Sequence, residues 1–200
     1  MKRTIRWASL GLVILSVGLA TALTRAADGL TPQPGEVPVR ITGGHDTAAV
    51  DRGRPVILIA AALNVPAEKF REAFTHVRPA HGRGPTDAEA RQNKRELLDR
   101  LAKYGVTNER LDEVSNFYRY RPETGELWKH KEAVVFATVK DGKVTRFRVA
   151  EPGYGYSSMP TIAVDGVPGL RTTARLVYGQ DLTANGAIRD VQVIGVTTQP

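Results

Sequence analysis

The chain has 200 residues, a formal net charge of +7 and 42% hydrophobic residues. That length suits one ordinary domain or two small ones, and the apolar fraction is too high for a disordered chain. Because the sequence contains no cysteine, disulfides, thiolate metal sites and cysteine nucleophiles are excluded.

Residues 1–26 have the three-part pattern of an export signal. Lys2, Arg3 and Arg6 precede an apolar stretch over residues 10–20, and small residues follow it at two candidate cleavage points. The stretch is shorter than the roughly 20 residues of a membrane-spanning helix, so we expect a cleaved signal peptide and a periplasmic, cell-surface or extracellular location. A membrane is an expected partner only where this segment stays uncleaved.

Export changes the meaning of the net charge. Without the four basic residues of the signal, the chain keeps 24 basic and 21 acidic residues, a net charge of +3. The two signs alternate along the predicted helices, as on a solvated face, and no stripe of one sign remains. A nucleic-acid partner is therefore not expected.

Residues 27–54, which contain several prolines and glycines, are predicted to form an extended leader. Over residues 55–131 the apolar positions follow a helical period, which predicts a helical subdomain of about four helices. Pro55 and Pro66 suit the first turns of the first two helices, where a missing N–H costs nothing. The first helix is apolar nearly all round and is therefore expected to be buried.

Local capping signals set the limits of the later helices. Thr86 and Glu89 have the spacing of a capping box, in which side chain and backbone bond each other reciprocally. Gly105 suits a left-handed helix end, and Thr107 suits the start of the next helix. Because this connection is short, the two helices beside it are expected to pack as an antiparallel hairpin.

After Trp128 the apolar period changes to two, which indicates strands. Asp141-Gly142, between two such runs, is a strong signal for a two-residue hairpin turn. The pairing predicted across that turn places Val134 opposite Val149, Phe136 opposite Phe147, and Thr138 opposite Thr145. One face of the hairpin is then mainly apolar.

A second copy of this unit is indicated 44 residues further along the chain. Residues 141–149 align with residues 185–193 in their turn glycine and apolar positions, and residues 171–178 supply the preceding strand through a longer loop. The sequence therefore predicts an α+β fold. Its N-terminal helical subdomain is followed, over residues 132–200, by a small antiparallel β module with an internal repeat, folded as a sandwich or barrel-like sheet.

The segment between the two copies is predicted to be a tight loop. Gly153 and Gly155 can take positive φ, and Pro160 leads into the next strand. Tyr156 is then expected to fold back over the sheet with its hydroxyl bonded to backbone. A loop that contacts a ligand is the alternative interpretation.

Residues 137–164 resemble a repeat of bacterial surface proteins and phage tail proteins, in which a "dGkVtsitV" strand leads into "GsGYtsaPtVtv". The residues that carry the resemblance are Asp141, Gly142, Val144, Val149, Gly153, Gly155, Tyr156, Ser157, Pro160 and Ile162. Tyr154 departs from the pattern, which usually has a small residue there. The resemblance implies a β-structural module of surface or extracellular proteins and no particular chemistry.

The complete layout also resembles a group of exported bacterial proteins of unknown function. The shared features are Gly43-Gly44-His45-Asp46, Gly53-Arg54-Pro55, Asn93-Lys94, Tyr104-Gly105-Val106-Thr107-Asn108 and Val114-Ser115-Asn116-Phe117-Tyr118-Arg119-Tyr120. This second resemblance implies export and adds no activity.

Aromatic and basic side chains concentrate over residues 117–131 and return in the glycine-tyrosine loop. The candidate ligand-contacting residues are Tyr118, Tyr120, Arg121, Trp128, Tyr154 and Tyr156. These rings either pack where the helices meet the sheet, since aromatic rings bury large areas at such seams, or form a platform for a glycan, a peptide or an anionic ligand.

Other chemistry is weakly represented. His45, Asp46, His76 and His81, with Asp51 nearby, are the candidate metal ligands, but they have no metal-motif spacing. The sequence also lacks a nucleophile elbow, a phosphate-binding loop and a paired general acid and base. We therefore predict no catalytic residue, no cofactor and no metal.

Together these features predict a secreted or surface-associated, non-enzymatic interaction or structural protein. Its expected partner is a cell-envelope component or another protein. The alternative is an extracytoplasmic domain that binds a glycan or anionic ligand, or hydrolyses its substrate, through residues 117–131.

Overall fold

The computed structural model describes residues 29–77, 86–120 and 124–196. The chain divides into two compact units, residues 1–31 and 32–200, and the predicted signal peptide lies outside the described residues. In chain order the second unit contains β1 (Glu36–Thr42), α1 (Val56–Ala62), α2 (Ala67–Phe74), α3 (Asp87–Leu101), α4 (Asn108–Phe117), β2 (Val134–Lys140), β3 (Lys143–Glu151), β4 (Thr161–Val164), β5 (Leu170–Val177) and β6 (Ala187–Val196). The predicted α+β class, with four helices and antiparallel sheets, is confirmed.

The helical part has one apolar core around α1. This helix is buried on nearly every side, as its apolar sequence predicted, because α2 and α4 pack against it. The core side chains from other elements include Phe70 of α2, Leu101 of α3, and Leu111 and Val114 of α4. Lys94 of α3 forms a salt bridge of 2.6 Å with Asp112 of α4, so the two helices are in side-chain contact.

The predicted helix caps are all formed. The Thr86 hydroxyl accepts a hydrogen bond from the Glu89 N–H, and the Glu89 carboxylate accepts one from the Thr86 N–H at 2.8 Å. The Thr107 hydroxyl caps α4. Gly105 has a φ of +76° and ends the turn that follows α3, so the local signals for these helix limits are confirmed.

The strands form two antiparallel sheets around a shared core. The larger sheet has the order β3-β2-β1-β4, and β5 pairs with β6 in the smaller one. Strand β4 lies beside β5, and β6 lies beside β3. Apolar side chains from both sheets meet between them, namely Ile41, Ala133, Val135, Tyr156, Ile162, Ala174, Ile188 and Val191.

Part of the predicted extended leader is a strand of the larger sheet. Residues Glu36 to Pro38 of β1 pair with β2, whereas residues 39–42 pair with β4. Pro38 therefore lies where β1 has a partner on one side only, which is where a strand tolerates a missing N–H. The prolines and glycines of this segment predict extended backbone but not its pairing.

Beyond its turn, the predicted register of the β2–β3 hairpin was wrong by one residue as far as Val135 and by two at Val134, which pairs with Glu151. The strands leave the turn as predicted, with Val139 opposite Val144, but a bulge between Thr138 and Val139 shifts the following pairs. The observed pairs beyond it are Thr138 with Arg146, Ala137 with Phe147, Phe136 with Arg148 and Val135 with Val149. An extra residue in one strand exchanges the two faces, which is why the predicted apolar face was misassigned.

Both faces of β2 are in fact covered. Val135 and Ala137 face the interior, and Phe136, which is 3% exposed, lies beneath the Arg148 guanidinium at 4.7 Å. Arg148 also bonds Glu36 of β1 through Nε and Nη2, and this hydrogen bonding lowers the pKa of Glu36 to about 2. A cation and its carboxylate partner thus cover a ring that the predicted register placed in the interior.

The second hairpin has a longer connection than the first. Strand β5 pairs with β6, as the expectation for residues 171–178 required. Asn185 and Gly186 end a nine-residue connection over residues 178–186 rather than forming a two-residue turn. The internal repeat therefore remains a prediction based on the sequence.

Candidate functional site

The centre of the seam between helices and strands is the side chain of Asn185, which is fully buried. Its amide nitrogen donates hydrogen bonds to the Leu58 carbonyl and the Tyr118 hydroxyl, both at 2.8 Å. Its amide oxygen accepts one from the Gly179 N–H at 3.1 Å. One side chain therefore joins α1, the end of α4 and the β5–β6 connection.

Trp128 packs into the helical core beside this amide. The indole is 2% exposed, and its Nε1 donates a hydrogen bond of 2.9 Å to the Gly155 carbonyl. Gly155 has a φ of +88°, and an added Cβ there would lie 2.7 Å from the Cβ of His130. The glycine therefore provides both the turn and the close approach that this contact needs.

Tyr156 and Tyr118 bury their rings and bond their hydroxyls internally. Tyr156 is 1% exposed, and its hydroxyl accepts a hydrogen bond from the Ala133 N–H at 2.9 Å. The predicted fold-back of this tyrosine onto backbone is thus confirmed. Burial raises the pKa of both phenols, that of Tyr118 to about 12.

The remaining candidate contacts are only half-buried or not described. The Tyr120 hydroxyl donates to the Arg52 carbonyl at 3.2 Å. Tyr154 exchanges two backbone hydrogen bonds with Lys131, and its ring lies 6.1 Å from that of Phe117. Arg121 lies outside the described residues. The structure therefore brings the candidate aromatics together as a packed seam, and its three most buried members have no free polar atom.

The Gly-Gly-His-Asp segment and the glycine-tyrosine loop hold each other in place. The Gly44 carbonyl accepts hydrogen bonds from the N–H groups of Ser157 and Ser158. The Ser157 hydroxyl donates to the Asp46 carbonyl at 2.7 Å, and the Ser158 hydroxyl bonds the Asp46 carboxylate at 3.1 Å. These hydrogen bonds join residues 43–46 to residues 157–158, two segments that the sequence marks separately. We call this contact the latch.

Among the described residues, the candidate metal ligands do not come together as a cluster of three. Asp46 is held by the latch, Asp51 is bound by the Arg71 guanidinium, and His76 is exposed, whereas His81 lies outside the described residues. Within the described part of the chain, no three histidine, aspartate or glutamate side chains are placed to hold a metal ion.

His45 instead belongs to the aromatic packing. Its ring stacks on Tyr156 at 5.3 Å and lies 4.5 Å from the ring of His130. Its Nε2 is buried and has no hydrogen-bond partner. Burial, with a smaller contribution from His130, lowers the pKa of His45, so the neutral ring is favoured in the fold.

A groove of about 510 Å³ lies beside the seam, between α4 and the β5–β6 connection. Its lining residues are Arg110, Glu113, Asn116, Phe117, Lys129, Gln180, Asp181, Leu182 and Thr183. Both of its carboxylates are engaged, Glu113 by Arg110 at 2.6 Å and Asp181 by Thr183 at 2.8 Å. Residues 180–183, which form one wall of this groove, were not predicted as part of a site. They are distant in the chain from the other lining residues, and they contain no local motif.

Comparisons with protein-family models, with curated proteins and with solved structures found no match for this chain. Within the described residues, no helix is both long and apolar enough to cross a bilayer. The function is therefore inferred from the residues that the fold brings together.

Proposed function

We propose that the chain is an exported or surface-associated protein that acts as a non-enzymatic interaction or structural module. Its partner is a component of the cell envelope or another protein. The observation that carries this proposal is the packed seam: Tyr118, Trp128 and Tyr156 are each at most 2% exposed, and each bonds its polar atom inside the fold. Side chains engaged in this way are not available to a substrate.

The bonding of the polar groups beside the seam supports the same proposal. In the neighbouring groove, Glu113 pairs with Arg110 and Asp181 accepts hydrogen bonds from Thr183, and the described residues hold no cluster of metal ligands. A hydrolase needs an acid and a base that are free to act on substrate. An interaction module needs only a stable surface.

Export is tested by fusing residues 1–26 to a reporter phosphatase that is active only outside the cytoplasm. We expect phosphatase activity, since the segment has the charge and apolar pattern of a signal. The matched control carries Leu12→Arg and Leu15→Arg, which interrupt the apolar stretch. Equal activity from both fusions, or an intact Met1 on the exported full chain, would contradict a cleaved signal.

The non-enzymatic role is tested by binding the purified chain to isolated cell envelopes and by assaying it against a panel of glycoside, ester and peptide substrates. Saturable envelope binding without turnover is expected. Turnover that survives repurification and is abolished by Glu113→Gln and Asp181→Asn would replace the proposal with the hydrolytic alternative.

The second candidate function is binding of a glycan or anionic ligand in the groove beside the seam. The observation that favours it is Lys129, whose ammonium lies 5.5 Å from the Phe117 ring at the groove wall. A glycan array with Lys129→Gln, compared with Lys140→Gln at an exposed hairpin position, tests it. Saturable glycan binding that only Lys129→Gln abolishes would favour this function over the first.

A further inference from the structure

A separate cavity of about 380 Å³ lies between residues 50–56 and helix α2. Three arginines line it: Arg52, Arg54 and Arg71. We call this cavity the arginine pocket. Neither the seam nor the groove beside Lys129 includes these side chains.

Arg54 is the least satisfied of the three. Its guanidinium lies 4.2 Å above the ring of Phe74, which holds it in place by a cation–π contact. Its Nε is buried and has no hydrogen-bond partner. Among the residues that the structure describes, no carboxylate pairs with Arg54. A buried Nε–H without an acceptor is unusual, because buried donors are nearly always bonded.

The charge of the pocket is not balanced by its own residues. Asp51 is the carboxylate in its lining, and it is 4% exposed. Arg71 binds both oxygens of Asp51, with two contacts of 2.8 Å. Arg52 is exposed and, within the described residues, has no carboxylate partner. Arg71 also lies 3.7 Å from the Glu68 carboxylate, so Arg52 and Arg54 are the two guanidinium groups of the pocket without a carboxylate partner among the described residues.

The rest of the wall is apolar except for Thr75, whose hydroxyl donates to the Glu72 carbonyl. Val56 is buried, Phe74 and Val77 are half-buried, and Val50 is exposed. Val50 is 70% exposed, so an apolar side chain stands in solvent beside the arginines. Pockets that take small ligands combine such apolar walls with a few placed polar groups, in volumes of roughly 300–1,000 Å³.

We propose that the arginine pocket binds a small organic anion, in which a carboxylate or phosphate ester is attached to a short aromatic or branched apolar group. The guanidinium fork matches both kinds of oxyanion and binds them through paired hydrogen bonds. Arg54 and Arg52 hold the anionic group, and the apolar group lies against Val56 and Phe74. This site is independent of the proposed interaction role.

The experiment is an NMR titration of the purified chain with benzoate and with phenyl phosphate. Saturable shifts are expected in the amides of residues 50–56 and 71–77, and the tighter of the two probes identifies the acidic group. The neutral analogue benzyl alcohol should bind at least about tenfold more weakly. Inorganic phosphate should also bind more weakly than phenyl phosphate, since it lacks the apolar group.

Variants locate the site. Arg54→Gln should weaken binding at least about tenfold, and Arg52→Gln, at an exposed position, should weaken it severalfold without affecting the core. Arg189→Gln removes the same charge from an exposed position on β6 and should leave binding unchanged. If Arg54→Gln does not fold, the binding measured for Arg52→Gln alone decides whether the anion occupies the arginine pocket.

Three results of the ligand titrations would overturn the proposal. These are the absence of saturable shifts with either anion, equal binding of benzyl alcohol, and equal binding of inorganic phosphate and phenyl phosphate. Equal losses in Arg52→Gln and Arg189→Gln would also overturn it, because they would show a nonspecific effect of charge.

Discussion

Replacing Asn185 by alanine should lower the free energy of unfolding by about 3–5 kcal/mol. The change removes three hydrogen bonds and leaves the Leu58 carbonyl, the Tyr118 hydroxyl and the Gly179 N–H without their partner. A buried polar group left unpaired costs about 1–3 kcal/mol. Three such groups together would cost about 3–9 kcal/mol. Because the Tyr118 hydroxyl can rotate toward another partner, the expected loss lies in the lower half of that range.

The assay is urea unfolding followed by the fluorescence of Trp128, which is buried beside this amide. Asn116→Ala is the matched control, since Asn116 is exposed on α4 and bonds Arg119; its effect should stay within about 0.5 kcal/mol. A double-mutant cycle of Asn185→Ala with Tyr118→Phe should give a coupling energy of about 1 kcal/mol. A loss at Asn185 no larger than at Asn116, or strict additivity in the cycle, would refute the role of Asn185 in joining these elements.

Three further predictions concern charge and backbone. Glu36→Gln should cost about 2 kcal/mol at neutral pH, because it removes a charged hydrogen bond to Arg148. Since the folded pKa of Glu36 is lowered to about 2, the wild-type advantage should fade from about pH 5 downward; an advantage independent of pH would contradict it. Because burial lowers the pKa of His45, stability should also fall as the pH drops below about 6.5, measured by thermal melts, and this fall should be smaller in His45→Phe. Gly155→Ala should cost about 3 kcal/mol, since its Cβ would meet other atoms at 2.7–3.1 Å, whereas Gly142→Ala, with open space, should cost about 1–2 kcal/mol; equal costs by urea unfolding would show that contacts at Gly155 do not matter.

The helical part was largely predictable because its signals are local. The capping box at Thr86 and the left-handed glycine at Gly105 each depend on residues within one turn of the chain. The unbroken run of apolar residues over 56–62 was enough to predict a buried helix. In each of these signals the interacting residues are close together in the sequence, so the helix limits could be predicted without knowing the tertiary structure.

The strands were harder to predict because pairing depends on distant residues. The turn at Asp141-Gly142 was predicted, but the bulge at Thr138 shifted the register, and no residue type marks its position. The pairing of β1 with both β2 and β4 joins segments that are about a hundred residues apart in the chain. The alternation of apolar and polar residues predicts a strand but not the strand with which it pairs.

The candidate site shows the same limit. Aromatic residues were predicted to cluster near the seam, and Trp128 and Tyr156 do so. Whether they face a ligand or the interior depended on distant partners, the Gly155 carbonyl for Trp128 and the Ala133 N–H for Tyr156. Tyr118 in turn depends on Asn185, which aligns with the hairpin-turn residue Asp141 in the sequence. Asn185 is buried only because α1 and α4 each place an acceptor, Leu58 and Tyr118, beside the β5–β6 connection. No local pattern encodes this meeting.

The missing cysteines explain why so many polar side chains are used internally. A chain without disulfides must hold its long connections by packing and hydrogen bonds, and here Asn185, Ser157 and Ser158 bond the connections to one another. The fold would lose stability if these side chains gave up their internal hydrogen bonds in order to bind a ligand. Arg54 differs, because its Nε is buried without an acceptor. An unsatisfied donor in a pocket with apolar walls is therefore a better place to look for a ligand than the aromatic residues that first attract attention in the sequence.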